Sequence, residues 1–361
     1  MAAIANKSSN VATAPFFARQ LQRFGAASLV TLFATILLAA YLSPFAYMAV
    51  TSIKDKDQIV ASATGSILPF EPVYYEYEGK QVELLKVPME DGTVKELAII
   101  DKGRRASTFV DPNDPNLTPI ELEIRWRTLE PVTRFAPKLG NFEEAWNLAN
   151  FPRLITNTII IAVTGLIGTI ISSVCVAYAF ARFPIPGKRI LFLLLISTIV
   201  LPRQVMLVPT YAFFNAIGWT GTWLPLIVPH FFSNAYNVFL LRQYFLQLPK
   251  ELDEAAMIDG AGPFRILVSV IVPQSWPVII AVALFHLVFA WNDYFEPLIY
   301  TLGKPEIQPI AVGIQVFNFK YDQQPHLIQA TALMGMVVPV ALFFLAQRFF
   351  MRGVVITGVE K

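Results

Sequence analysis

The chain has 361 residues, of which 55% are hydrophobic and 15% are charged, and its mean hydropathy is +0.52. Soluble domains usually carry about 25% charged residues, so this composition excludes an ordinary soluble protein and indicates a membrane protein. The net charge of +2 gives no sign of nucleic-acid binding, and the single cysteine, Cys175, excludes an intramolecular disulfide.

Six apolar runs are long enough to cross the hydrocarbon core of a bilayer, which takes about 20 helical residues. They cover residues 27–50, 155–180, 190–214, 223–245, 275–300 and 330–350. The first run is longer than the apolar region of a cleavable signal peptide and is interpreted as an uncleaved span. The sequence therefore predicts an all-α membrane protein with six transmembrane helices.

Lysine and arginine residues in the short connections predict the orientation. The N-terminus, the connection after the second run and the C-terminal tail are basic, through Lys7, Arg19, Arg23, Arg182, Lys188, Arg189, Arg348, Arg352 and Lys361. The connection at residues 215–222 carries no charge. Both termini are therefore expected in the cytoplasm, and the connection between the fourth and fifth runs is expected there too.

The section from Lys54 to Asn150 differs in kind, since it holds 17 acidic and 12 basic residues for a net charge of −5. Gly79 and the Asp91-Gly92 pair indicate turns between strands. Apolar residues alternate with charged ones at Ile120, Leu122, Ile124 and Trp126. The sequence predicts a small β-rich extracytoplasmic insertion at 54–150, between a first part (1–53) and a five-helix core (151–361). Docking of an external partner and a stabilising cap are equally favoured roles, and ligand contact through Tyr74, Tyr75, Tyr77 or Trp126 is less favoured.

The connection at 246–273 contains the stretch ELDEAAMIDGAGPFRILVSVIVP, from Glu251 to Pro273. Acidic residues at its start suit the N-terminus of a short helix, and Gly260 with Pro263 predicts a stop followed by a second helix that runs into the fifth span. One side of the first helix carries little bulk beyond Leu252, since the other residues at helical spacing are Ala255, Ala256 and Asp259. Such a knob is expected to fit a groove of another protein, with Glu254 or Asp259 available to meet a basic group.

This stretch resembles the EAA loop of the membrane subunits of binding-protein-dependent ABC importers. Glu254, Ala255, Ala256, Gly260 and Pro273 match the family's pattern, whereas Val270 and Val272 stand where isoleucine and leucine are usual. The surrounding segments LPKELDEAAMIDGAGPFRI, AYAFARFPIPGKR, AWNDYFEPL and FFMRGVVITGVEK are similar to the carbohydrate branch of that family, which includes the maltose-type permeases. The resemblance covers residues 20–53 and 141–361 and leaves out the insertion.

The resemblance implies a permease subunit of an ATP-driven sugar importer in a prokaryotic inner membrane. It implies as partners a second permease subunit, two copies of a cytoplasmic ATPase, an extracytoplasmic solute-binding protein and membrane lipid. The residues implied to contact the ATPase are Glu251, Leu252, Glu254, Ala255, Ala256, Asp259, Gly260 and Ala261. The chain contains no GxxxxGK[ST] phosphate loop, so ATP and Mg are expected on the ATPase, with no cofactor or metal in this chain.

Charged side chains within apolar runs are costly and are therefore candidates for function. Arg203, Gln204, Asn292 and Asp293 are expected at similar levels in the outer half of the membrane, if the third run is a continuous helix from Ile190. They predict a cavity that hydrogen-bonds sugar hydroxyls, although an inter-helix ion pair or an arginine reaching the interface is the more favoured interpretation.

Other features of the sequence have simpler interpretations. Gly165, Thr169, Ser173, Ala177 and Ala181 recur every four residues and predict close helix packing rather than a pore lining. The three histidines, His230, His286 and His326, are widely separated along the chain and receive no ligand role. The alternatives to a sugar permease are the same architecture for a polyamine or phosphate and, far less favoured, a membrane-embedded glycosyl transferase, which would need paired acids or a metal set.

Overall fold

The computed structural model describes residues 16–62, 66–89, 92–319 and 324–355. Lys7, Asp91 and Lys361, which entered the orientation and turn predictions, lie outside these residues. Within the described part, four helices are long and apolar enough to cross a membrane: Ala27–Ser52, Phe151–Arg182, Leu224–Gln247 and Pro325–Gln347. Two bent helix pairs also pass this test, Lys188–Val200 with Arg203–Ala216, bent by 99°, and Pro263–Gln274 with Trp276–Asn292, bent by 83°.

The described chain is mostly helical. Its α-helices, in chain order, are α1 (Phe16–Ser52), α2 (Lys56–Ser62), α3 (Gly140–Leu148), α4 (Phe151–Arg182), α5 (Lys188–Ser197), α6 (Arg203–Ala216), α7 (Leu224–Ile227), α8 (Ala235–Gln247), α9 (Glu251–Ile258), α10 (Pro263–Ile266), α11 (Val272–Gln274), α12 (Trp276–Asn292), α13 (Phe295–Tyr300), α14 (Ile310–Gly313), α15 (Val316–Phe319) and α16 (Pro325–Val355). A π-helical segment, Leu267–Ile271, joins α10 to α11.

Helix α4 lies at the centre of the bundle and packs against α7, α8, α12, α14 and the 3-10 segment Val228–Phe232. Its five small residues at four-residue spacing are all buried, as the packing prediction requires. A Cβ atom on Gly165 would lie 3.0 Å from both His230 and His286, which shows how closely the neighbouring segments approach. The two histidines, distant in sequence, stack edge to face with ring centroids 4.6 Å apart.

Prolines account for the two bends. Leu201 has extended backbone (ψ 117°) between the two parts of the third predicted span, because Pro202 disfavours helical geometry in the residue before it and has no N–H to continue the helix. Pro273 and Pro277 flank Ser275, the residue at which the second pair bends. The prediction of one continuous third helix is therefore wrong, and the height that it gave for Arg203 does not apply. The fifth predicted run, 275–300, is not one helix either, because α12 ends at Asn292 and α13 begins at Phe295.

The strands lie between Phe70 and Phe135. They are β1 (Phe70–Pro72), β2 (Tyr74–Tyr77), β3 (Lys80–Pro88), β4 (Val94–Asp101), β5 (Ser107–Val110), β6 (Ile120–Leu122), β7 (Glu130–Pro131) and β8 (Thr133–Phe135). Strands β2 to β6 form an antiparallel meander in sequence order, β7 pairs with β3, and β1 pairs with β8 in a separate ribbon. A small core of Leu85, Val87, Leu97, Ile99 and Phe109 lies under the meander.

Local sequence explains much of this sheet. Glu78 and Gly79 both have positive φ (49° and 77°), as a tight two-residue hairpin between β2 and β3 requires. The alternating stretch from Ile120 is a strand only as far as Leu122, after which the chain turns into a 3-10 segment. Ile124 and Trp126 still pack on the core of the meander, so the apolar side of the alternation is kept while the strand pairing stops. The section 54–150 also contains α2 and α3.

An ionic clasp of Asp55, Glu71, Arg134 and Lys138 closes the base of the sheet. Glu71 lies 2.6 Å from Arg134 Nη2 and 2.7 Å from Lys138 Nζ, and Lys138 also lies 3.7 Å from Asp55. Hydrogen bonds from Lys138 and Arg134 hold the pKa of Glu71 below its usual value, and the bond to Glu71 raises the pKa of Lys138. Lys138 N donates to Ile53 O at 2.8 Å, so the chain returns to the point where it left α1.

Candidate functional site

The EAA-type stretch folds as a helix, a tight turn and a second helix. Helix α9 begins at Glu251 and has acidic residues in its first turn, at the positive end of the helix dipole. Gly260 (φ 78°) ends it: Ala261 N donates to Ala256 O at 2.9 Å, and Gly260 N donates to Met257 O at 3.0 Å. These two bonds form a Schellman cap, for which glycine is the preferred residue. The second helix leads into the π-helical segment and then the 83° bend rather than straight into α12.

The residues predicted to meet a partner divide into two groups. Glu251, Glu254, Ala255, Asp259 and Gly260 are exposed, whereas Leu252, Ala256 and Ala261 are half-buried. Ala256 and Ala261 pack against the core of this chain's own bundle, so their small size brings α9 close to the bundle. The row of small residues expected on the outer surface therefore lies partly on the inner one.

The outer surface of the loop carries bulky apolar side chains that the sequence analysis missed. Met257, Ile258 and Phe264 are 56%, 86% and 76% exposed. The signal for them was present, since Met257 and Ile258 lie off the row of Leu252 and Ala256 on a helical projection. We name Met257, Ile258 and Phe264, together with the exposed acids Glu254 and Asp259, the loop patch.

A buried ion pair joins the loop to the end of α4. Arg182 Nε lies 2.6 Å from Asp253 Oδ2, and the two side chains are only 6% and 11% exposed. Arg182 Nη2 also donates to Leu248 O at 3.0 Å, just before α9. Burial raises the pKa of the Asp253 carboxyl, although the Arg182 guanidinium acts in the opposite direction. Neither residue was singled out as a contact from the sequence, because 70 positions separate them along the chain.

The four residues predicted for the substrate path line one cavity of about 380 Å³. Its wall is completed by Leu207, Val288, Phe289, Tyr294, Phe295 and Glu296. Arg203 begins α6, directly after the Pro202 break, and Asp293 follows the end of α12. The proximity of these residues therefore results from a helix break and a helix end, not from equal heights on two straight helices.

Within this cavity Arg203 lies near one acidic and one aromatic side chain. Its Nη1 lies 3.9 Å from Glu296 Oε1, and its guanidinium carbon lies 4.1 Å from the centroid of the Phe289 ring. Asn292 donates to Val288 O at 2.8 Å within its own helix. The cavity thus presents one guanidinium group, two carboxyl groups, two amides and three aromatic rings. Glu296 and Phe289 were not predicted from the sequence.

Among the described residues, no group of three or more His, Cys, Asp or Glu side chains is placed to hold a metal ion.

A helical bundle with several apolar spans, two of them bent, and an exposed EAA-type loop is the architecture of the membrane subunit of a transporter. Residues 166–355 match the family described as binding-protein-dependent transport system inner membrane component, and the chain belongs to this family. The resemblance stated from the EAA motif is thereby confirmed.

Relatives and solved structures agree with this assignment. The sn-glycerol-3-phosphate transport system permease protein of Rhizobium meliloti is 33% identical over 238 residues, covering 63% of this chain and 83% of that protein. The α-glucoside transport system permease protein of the same organism is 29% identical over 233 residues, covering 62% and 60%. A bacterial ABC transporter involved in import of the acidic polysaccharide alginate has a similar fold, with a TM-score of 0.63 at 18% identity over 93% of this chain and 100% of that chain. These relatives are permease components rather than enzymes.

Proposed function

We propose that this chain is one permease subunit of an ATP-driven importer of a neutral sugar. It forms half of the translocation pathway together with a second permease subunit, and receives its solute from an extracytoplasmic binding protein. ATP and Mg belong to two copies of a separate cytoplasmic ATPase, so this chain carries out no chemistry and needs no cofactor.

The proposed topology has six spans, two of them bent, in a prokaryotic inner membrane. Residues 1–53 contain the first span, residues 54–150 form an extracytoplasmic insertion with its β-sheet, and residues 151–361 form the five-span core with its coupling loop at 246–273. Both termini and the coupling loop lie in the cytoplasm, which the distribution of lysine and arginine supports.

The loop patch is the observation that carries this proposal. Three large apolar side chains on a cytoplasmic loop favour a protein that covers them. The exposed carboxylates of Glu254 and Asp259 lie on the same loop, and they disfavour the alternative cover, an anionic lipid surface. A groove of the ATPase with an apolar floor and a basic rim fits both features.

The cavity supports a neutral sugar over a phosphorylated solute. Sugar hydroxyl groups are donors as well as acceptors, so they suit carboxylate and amide oxygens, and the aromatic walls suit the apolar faces of a sugar ring. A phosphate group favours an excess of cationic donors, but the single guanidinium group of Arg203 shares the cavity with two carboxyl groups, those of Asp293 and Glu296. Import of a phosphate ester, as in the glycerol-3-phosphate relative, is therefore the second candidate.

Reconstitution tests the proposal. The chain is co-expressed with candidate permease, ATPase and binding-protein subunits from the same genome, and the complex that assembles is placed in vesicles. The Ile258→Ser variant is expected to reduce ATPase co-purification and ATP-dependent uptake of maltose or another neutral glucoside by about tenfold, since it removes an anchor from the interface. Gly260→Pro, which cannot adopt the positive φ of the cap, is expected to abolish both.

Val94→Ser is the matched control, because Val94 is a 63% exposed apolar residue on the sheet. It should leave ATPase association unchanged. Normal uptake and ATPase binding by Ile258→Ser and Gly260→Pro would contradict the proposed role of the loop.

A further inference from the structure

The buried pair of Arg182 and Asp253 joins the end of α4 to the first turn of α9. Helix α9 packs against α10 and the π-helical segment that follow it in the chain. Among the described residues, this pair is the one ion pair that joins α9 to a membrane span. Another side chain would not easily replace the Arg182 guanidinium, because a second of its nitrogens, Nη2, donates to Leu248 O just before α9.

Burial raises the free-energy cost of separating Arg182 from Asp253. Neither Arg182 Nη1 nor Asp253 Oδ1 has a hydrogen-bond partner among the described residues, so each charge depends on the other for compensation. Separating the two would leave an uncompensated charge in an apolar setting formed by Tyr178 and the core around it. The end of α4 and the start of α9 are therefore expected to move together.

Helix α4 is the element best placed to pass such a movement on. It packs against α8 and α12 along its length, and α12 contributes part of the cavity wall. Its small residues bring these neighbours close, so a shift of α4 cannot occur without a shift of the helices around it.

We propose that Arg182 is a positioning residue whose ion pair with Asp253 transmits displacement of α9 to α4, and through α4 to the cavity. This inference rests on the proposed function, in which an ATPase moves the loop. It assigns the transmitting contact within the membrane subunit, on the inner side of α9, distinct from the loop patch that the ATPase covers.

The test follows cavity access in the assembled complex. In a Cys175→Ser background, Leu207→Cys places one thiol on the cavity wall, and its rate of labelling by a membrane-impermeant maleimide is measured with and without ATP and vanadate. The unmodified pair is expected to give at least about a tenfold change in rate between the two states, as a large population shift requires. Arg182→Gln and Asp253→Asn should each reduce that change to about twofold or less.

The Arg182→Gln and Asp253→Asn variants should still co-purify with the ATPase, and their complexes should still hydrolyse ATP, since the loop patch is intact. The charge-reversed double variant, Arg182→Asp with Asp253→Arg, should restore at least half of the change in labelling rate. Arg189→Gln replaces an exposed arginine in the first turn of α5; it is the matched control and should behave as the unmodified chain.

Full ATP-dependent labelling changes in both single variants would overturn the proposal. It would also be overturned if the single variants and the double variant all failed to assemble with the ATPase while Arg189→Gln assembled, because the pair would then maintain the loop fold instead of transmitting motion. No ATP-dependent change in the unmodified complex would contradict the proposed function itself, which separates the two failures.

Discussion

At the scale of single residues, Glu71 joins β1 to the chain segment that ends the sheet, because its carboxylate binds two cations there, Arg134 and Lys138. Its two carboxylate oxygens take separate partners: Arg134 Nε donates to Oε1 at 2.8 Å and Lys138 Nζ donates to Oε2 at 2.7 Å. Such a shared arrangement stabilises more than an isolated surface pair, whose median value is below about 1 kcal/mol.

The Glu71→Gln variant tests the ionic clasp. It should reduce the protection of the β1 and β8 amides from hydrogen exchange by about fivefold, which corresponds to about 1 kcal/mol. Because the pKa of Glu71 is lowered in the folded chain, its contribution is present above the unfolded value of about 4.3 and is lost as the pH falls through the folded value. Protection in the variant should therefore lack the acid-induced decrease of the native chain. Glu76→Gln, an exposed acid on β2, should show native protection, and an equal effect of both variants would count against the clasp.

Residue type alone predicted some of the charged residues of the cavity and the coupling loop and missed others. Arg203 and Asp293 attracted attention because charges within apolar runs are costly. Glu296 and Asp253 did not, since acidic residues near a run's end or in a polar loop are ordinary in sequence. Their burial and their pairing come only from the way distant segments meet.

At the scale of elements, the close approach of α14 to α4 depends on Gly313. A Cβ atom there would lie 2.2 Å from Leu154 Cδ2, and Leu154 is only 4% exposed. The leucine is enclosed by Phe151, Trp291 and Ile310, so it has little room to adopt another rotamer.

The Gly313→Ala variant is therefore expected to destabilise the bundle by about 1–3 kcal/mol, as overpacking of a filled core does. The measurement is the apparent melting temperature of the purified chain in detergent. Gly25→Ala is the control, since nothing lies within 4 Å of a Cβ at that helical position and alanine favours a helix. A melting temperature of Gly313→Ala equal to that of the control would contradict the tight packing of Gly313 against Leu154.

Element types were predicted better than element shapes. Hydropathy located each apolar run, because the length needed to cross a bilayer is fixed. The bends of 99° and 83° escaped the prediction, although Pro202, Pro273 and Pro277 mark them, because proline is tolerated within transmembrane helices when neighbours satisfy the freed backbone groups. The shortening of β6 escaped it too, since Ile124 and Trp126 keep their apolar contacts after the strand ends.

At the scale of the whole molecule, the charge balance of the cavity predicts which solutes the complex accepts. In the purified complex, maltose is expected to bind more tightly than sn-glycerol-3-phosphate. Asp293→Asn should weaken maltose binding by about tenfold, since hydrogen bonds to charged groups contribute about 1.5–3 kcal/mol, and should strengthen binding of the phosphate ester. Isothermal titration of the complex without binding protein provides the measurement.

Glu306→Gln removes an exposed acid outside the cavity and serves as the control for this change in charge. A preference of the unmodified complex for sn-glycerol-3-phosphate would contradict the assignment to neutral sugars and favour the second candidate.

Family membership followed from the sequence because the EAA motif is local and its spacing is unusual. Assembly of the bundle around α4 was only partly predictable: the small residues at four-residue spacing marked the packing surface of α4 but not the segments that occupy it. The position of His230 beside His286 shows this limit, since nothing local in either residue's surroundings indicates the other.

The ribbon of β1 and β8 places the two ends of the sheet side by side, with Phe70 opposite Phe135, and Lys138 is hydrogen-bonded to Ile53. The strands between them could thus be excised and replaced by a few glycines without changing the distance between α1 and α3. A shortened chain of this kind would separate what the β-rich section does from what the membrane core does.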